Sequence, residues 1–252
     1  MFLKKYPCPT ETNYALVLGG QDPNASEIID LTTAKALAVP QITSLPIAMS
    51  GLVANVVHGT IMACGGLRVK NCYTYDFNND FWRNFRGGLN GFETRYLAAN
   101  FVSNDGDWYI LGGRDDFPTP KKYFDTAVKF NGTEFSSAGA MPFATCGACA
   151  VNVNATHVFL TGGRNESVNG LTTAYLLEVE SWMWTRLPDM AVGRYTGELS
   201  LVMPYRATGS GQSINEASKL HPFPSMVQKE YDVRSHISIS WLHEGVKMTG
   251  IE

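Results

Sequence analysis

Three arginines follow glycine pairs that recur along the chain. Arg68 comes after Gly65-Gly66, Arg114 after Gly112-Gly113 and Arg164 after Gly162-Gly163. A guanidinium offers forked donors that match a carboxylate, so three of them in equivalent loops would bind an acidic peptide or another acidic ligand. The competing reading is local neutralisation, because Asp115 and Asp116 follow Arg114 and Glu166 follows Arg164. Surface charges of that kind mostly solvate the fold. These arginines are the candidate binding residues.

Other reactive side chains point to structure rather than catalysis. Cys146 and Cys149 form a CxxC, but no second CxxC or His pair lies nearby to complete a tetrahedral metal site. Residues three apart on a strand face opposite sides, which favours structural thiols. Cys64 closes one expected strand and Cys72 opens the next. As antiparallel neighbours they are either a cross-strand disulfide or two buried thiols, and the redox compartment decides. The five histidines are scattered at 58, 157, 221, 236 and 243. No GxSxG, HExxH, phosphate loop or dinucleotide fingerprint stands in a fitting context. No catalytic, metal or cofactor site is therefore expected.

The glycine pairs belong to a repeat. LVLGG (Gly19-Gly20), MACGG (Gly65-Gly66), YILGG (Gly112-Gly113) and FLTGG (Gly162-Gly163) are spaced by 46, 47 and 50 residues. A period of this size means stacked supersecondary units. Each pair ends an apolar run suited to a strand covered on both faces, at a turn too close to neighbouring backbone for a Cβ. Tyr75 and Trp82 follow the second pair, and Leu177 and Trp184, with the same spacing between them, follow the fourth. Upstream, Arg95-Tyr96 and Arg194-Tyr195 open further apolar runs. Trp82 and Trp184 are expected to be largely buried between sheets, with each indole N–H reaching a carbonyl of the neighbouring one.

Diglycine, Tyr and Trp in this register resemble the Kelch repeat. The resemblance covers roughly residues 14–203 and implies an all-β, Kelch-type β-propeller of about four blades, each a four-stranded antiparallel sheet. It also implies binding through loops at the propeller ends. Some Kelch-like folds are carbohydrate-active enzymes, oxidases or mutarotases, and that is the alternative function; a truncated, non-functional product is another. Ring closure in such relatives pairs the two termini. Here the first unit lacks its inner strand, and Thr196–Val202 could fill that place, but the abrupt loss of pattern after one strand favours a partial or open ring. The third unit carries Phe135 where the second has Trp82.

The chain divides into a lead over 1–13, the propeller region over 14–203 and an irregular tail over 204–252. The tail begins rich in Ser, Gly and Pro, while KEYDVRSHISISW near its end alternates polar and apolar residues, as a decayed unit or an unrelated strand would. Net charge is −3 and no basic run occurs, which argues against nucleic acid. No apolar stretch reaches the roughly 20 residues of a membrane span. Four Asn-x-Ser/Thr sequons, at Asn24, Asn131, Asn154 and Asn165, fall in expected turns. With Cys64 and Cys72 they lean towards an extracellular glycoprotein if the N-terminus is incomplete; a chain complete as written would be cytoplasmic. The expected function is non-catalytic binding of an unidentified protein or acidic ligand through the loops.

Overall fold

The computed structural model describes residues 14–19, 22–30, 35–36, 43–76, 79–87, 92–117, 119–195 and 237–241. Among these there are strands and turns but no helix. Four antiparallel sheets of four strands form the blades of a partial propeller. The first blade contains β1 (Tyr14–Gly19), β2 (Ser26–Asp30) and β3 (Lys35–Ala36). The second contains β4 (Val53–Val57), β5 (Thr60–Cys64), β6 (Cys72–Asp76) and β7 (Phe81–Asn84). The third contains β8 (Ala99–Val102) and β9 (Trp108–Leu111). A two-stranded ribbon, β10 (Arg114–Asp115) and β11 (Lys122–Tyr123), leads to its remaining strands, β12 (Thr126–Phe130) and β13 (Phe135–Ala140). The fourth contains β14 (Cys146–Asn152), β15 (His157–Arg164), β16 (Ala174–Glu178) and β17 (Met183–Leu187).

A last strand, β18 (Ile237–Trp241), pairs antiparallel with β1 and gives the first blade the order β18-β1-β2-β3. The alternating segment of the tail thus forms a strand, and ISISW takes the inner place missing from the first unit. Short alternation is weak evidence in sequence, and only the open edge of β1 gives this segment a partner. The expected strand Thr196–Val202 lies outside the described residues, as does Gly20. Packing runs from β18 to β4, from β4 to β8 and from β8 to β14; among the described residues no comparable contact runs from the fourth blade back to the first, and the ring they form is open.

Three apolar layers hold neighbouring blades together. Leu16 and Leu18 of β1 meet Ala54, Ile61, Tyr73, Tyr75 and Trp82 of the second blade. Val53, Met62, Cys64 and Cys72 on its opposite face meet Trp108, Ile110, Val128, Phe130 and Phe135 of the third. Phe101, Tyr109 and Leu111 then meet Val158, Leu160 and Leu177 of the fourth. Inner strands such as β5 and β9 thus bury both faces, which is why these runs read as continuously apolar. Cys64 and Cys72 face each other across β5 and β6 and are joined by a disulfide within the second layer.

Trp82 behaves as expected. It is 6% exposed, its ring lies 5.3 Å from that of Tyr75, and its indole N–H donates to the Thr43 carbonyl at 2.8 Å. Phe135 fills the corresponding place in the third blade, 3% exposed against Phe85, Phe92 and Phe130. Trp184 departs from the expectation, because it is only partly buried. Its N–H does reach the preceding blade, donating to the Ala140 carbonyl at 3.2 Å, but Trp182 donates to the same oxygen at 2.8 Å. Two indoles share the edge that one occupies in the second blade, and neither is fully covered.

The glycine pairs act as sockets between consecutive units. In the three pairs that are described in full, the second glycine donates its N–H to the residue that leads the chain into the next unit: Gly66 to the Arg95 carbonyl at 3.0 Å, Gly113 to Thr145 at 2.8 Å and Gly163 to Arg194 at 2.8 Å. The first glycine of the third blade, Gly112, has φ 62°, and a Cβ there would lie 2.5 Å from the Thr145 carbonyl oxygen. Left-handed backbone and this close approach together exclude any side chain. Arg95 cannot begin a strand, as the sequence had suggested, because its carbonyl serves the socket and Leu97 two residues on takes φ 55°.

Candidate functional site

The diglycine end of the sheets carries the three candidate arginines, on the loops joining the second and third strands of the second, third and fourth blades. Arg68 sits in a turn with φ 63°, exposed to solvent. Its guanidinium carbon lies 4.6 Å from the centre of the Phe117 ring, which belongs to the third blade's loop and is itself 54% exposed. Loops of two blades therefore meet through a cation over an aromatic face.

Arg114 is held inward. Its backbone exchanges both hydrogen bonds with Tyr96, at 2.9 and 3.0 Å, and in β10 it stands opposite Tyr123. Its side chain is 7% exposed, lies 4.9 Å from the Tyr96 ring centre, and pairs with Asp116 at 2.9 Å from Nε to Oδ1. The contact from Nη2 to Asp116 Oδ2, at 3.3 Å, is the one with hydrogen-bond geometry. Burial disfavours the charge, but the hydrogen bond with Tyr123 and the charges of Cys146 and Asp116 outweigh it, so the pKa of Arg114 rises. A guanidinium so engaged is a structural cation and is not available to an incoming carboxylate.

Arg164 is half-buried at the end of β15, with its guanidinium 5.4 Å from the Tyr195 ring centre. Its Nε has no hydrogen-bond partner among the described residues, and Glu166 forms no ion pair with it. Arg114 and Arg164 are thus equivalent, each stacked on the tyrosine of an Arg-Tyr pair, whereas Arg68 stands one residue further past its glycines. Leu67 occupies the matching position. The sequence does carry this offset. The consequence is that the three cations do not form one equivalent set: Arg68 and the third blade's loop come together, and Arg164 stands on Tyr195.

Sequence reasoning passed over two contributors. Phe117 lies between turn-forming residues and gives no periodic signal. Arg95 was visible as the head of an apolar run, but its role was not. It is 1% exposed, donates to the Gly112 and Thr126 carbonyls at 2.6 and 2.8 Å and to the Thr126 hydroxyl at 2.8 Å, and lies over Phe124 at 4.5 Å. Burial lowers its pKa to about 10, with nearby Glu93 acting in the opposite sense. It ties the entry of the third blade to the strands outside it. Lys122, paired with Glu93 at 2.9 Å, and Lys121, 3.9 Å from Asp116, complete the charged surround of the ribbon.

Cys146 and Cys149 stand at different registers of β14. Cys146 is buried at the start of β14, opposite Arg164, while Cys149 stands opposite Thr161 and is half-buried. Burial pushes the Cys146 thiol up to about 11 despite nearby Arg114. Among the described residues, no three His, Cys, Asp or Glu side chains are grouped so that they could hold a metal ion, and no helix is long and apolar enough to cross a membrane.

No family model matches the chain, and no curated protein matches it in sequence. Solved structures do match in fold. One, titled "Structure of YjhT", aligns with a TM-score of 0.56 over 73% of this chain and 68% of its own, at 16% identity. At that identity the likeness concerns fold alone, and it agrees with the blade architecture described above.

Proposed function

We propose that this is a Kelch-type propeller that binds a protein partner without catalysis, through the patch where Arg68 lies over Phe117. That contact carries the reading. A large aromatic ring stays more than half exposed on a loop braced by a neighbouring blade, and the arginine above it has no carboxylate partner among the described residues. Aromatic and arginine side chains dominate the energetics of protein interfaces. A fitting partner would present a carboxylate beside an apolar group, satisfying Arg68 and covering Phe117. Arg114 supports the loop by pairing with Asp116. The Kelch assignment is supported by the matching sockets at Gly66, Gly113 and Gly163 and by the inter-blade places of Trp82 and Phe135. The Cys64–Cys72 bridge and the exposed sequon residues Asn131 and Asn154 favour maturation in an oxidising, secretory compartment.

A displayed library of random peptides tests the site. Peptides selected on the wild-type chain should be enriched in Asp or Glu next to an apolar residue and should lose most binding to Arg68→Ala and to Phe117→Ala. Selected peptides that bind both variants as tightly as the wild type would exclude the patch.

A further inference from the structure

The four sequons are not equivalent once folded. Asn131 lies in the turn from β12 to β13, where its side-chain oxygen accepts from the Thr133 and Glu134 N–H groups at 3.0 Å each and from the Thr133 hydroxyl at 2.8 Å. Asn154, in the turn from β14 to β15, repeats this with the Thr156 N–H at 2.9 Å, the Thr156 hydroxyl at 3.0 Å and the His157 N–H at 2.8 Å. Asn165, just past β15, accepts from the Ser167 and Val168 N–H groups at 3.0 and 2.9 Å. In all three the oxygen is used by the turn, and the amide nitrogen makes no hydrogen bond among the described residues. Asn24 is the reverse. Its amide nitrogen donates to the Leu45 carbonyl at 3.3 Å, and its own backbone carbonyl accepts from the Leu45 N–H at 2.9 Å. Leu45 is 2% exposed and the Ser26 hydroxyl of this sequon is buried, so a sugar on Asn24 would wedge open the seam between the first two blades.

We propose that Asn131, Asn154 and Asn165 are N-linked glycan acceptors and that Asn24 stays bare. The donor is a polyprenyl-pyrophosphate-linked oligosaccharide. The amide nitrogen forms a bond to the sugar's anomeric carbon and gives up one proton, while the bond from that carbon to the pyrophosphate oxygen breaks and the polyprenyl pyrophosphate leaves with the electron pair. Asn131 and Asn154 stand at the end of the sheets opposite the glycine pairs, away from Arg68 and Phe117, and Asn165 follows Arg164 at the glycine end. The assignment rests on the secretory reading above and not on partner binding.

The full chain, carrying a cleavable secretory leader, is produced in cultured animal cells. Its peptides are then treated with the amidase that converts glycosylated asparagine to aspartate in heavy-oxygen water, and are mapped by mass spectrometry. Heavy-oxygen aspartate is expected at positions 131, 154 and 165 and not at 24, with a mobility shift that collapses on digestion. Label at Asn24, or its absence at any of the other three, overturns the proposal. The same unreduced digest reports the Cys64–Cys72 linkage, so bridged cysteines with bare asparagines would defeat the glycan sites while leaving the secretory reading standing.

Discussion

Trp82 and Trp184 occupy matching places in two blades, yet truncating them should have different costs. Trp82 is 6% exposed between the first and second blades, and its N–H is the one indole donor to the Thr43 carbonyl among the described residues. Trp82→Ala removes nearly the whole side chain from a packed layer, a loss of about 3–5 kcal/mol. The Thr43 carbonyl also loses its donor, but it lies in an exposed segment where water can replace the indole, so this adds at most about 1 kcal/mol. Trp184 is only partly buried, and Ala140 keeps the N–H of Trp182 when Trp184 is lost. Its incomplete burial scales the loss down to about 2–4 kcal/mol. Urea unfolding of both variants under oxidising conditions, followed by circular dichroism, should place Trp82→Ala at the lower midpoint with unchanged slope. Equal midpoints, or a larger loss for Trp184→Ala, would show that the fourth blade's edge is as well covered as the second's and refute the reasoning.

Gly112→Ala forces a side chain into left-handed backbone with its Cβ 2.5 Å from the Thr145 carbonyl, so it should destabilise by about 2–5 kcal/mol in the same assay; a neutral substitution would mean that the socket is not tight. The Cys64→Ala/Cys72→Ala variant should lose about 2.5 kcal/mol, the entropy of closing a loop with a sequence separation of 8, and an unchanged midpoint would count against the bridge. Cys146, with its thiol pushed up to about 11 from 9.0, should hold a roughly hundredfold smaller thiolate fraction than an ordinary cysteine near neutral pH. Its alkylation should therefore be slow in the native chain and become rapid on unfolding; equal rates in the two states would contradict its burial.

The sequence by itself determined the blade. A diglycine cannot be replaced where backbone meets backbone, a strand buried on both faces must be apolar throughout, and Tyr75 with Trp82 marks the outer strands, so the period and the all-β architecture were legible. So was the opposition of Cys64 and Cys72, because neighbouring antiparallel strands bring the end of one beside the start of the next. What pairs across long separations was not legible. ISISW becomes a strand only because β1 has an open edge, and nothing local distinguishes it from chance alternation. Trp184 has the right spacing but not the right burial, because coverage depends on a neighbour, Trp182, that competes for the same carbonyl. The binding loops were legible as places but not as surfaces: Arg114 is drawn inward by Asp116 and Tyr123, while Arg68 is drawn over Phe117. Only the tertiary structure decided which cation is structural and which is presented, because that choice depends on contacts between loops of different blades, and repeat spacing does not encode them.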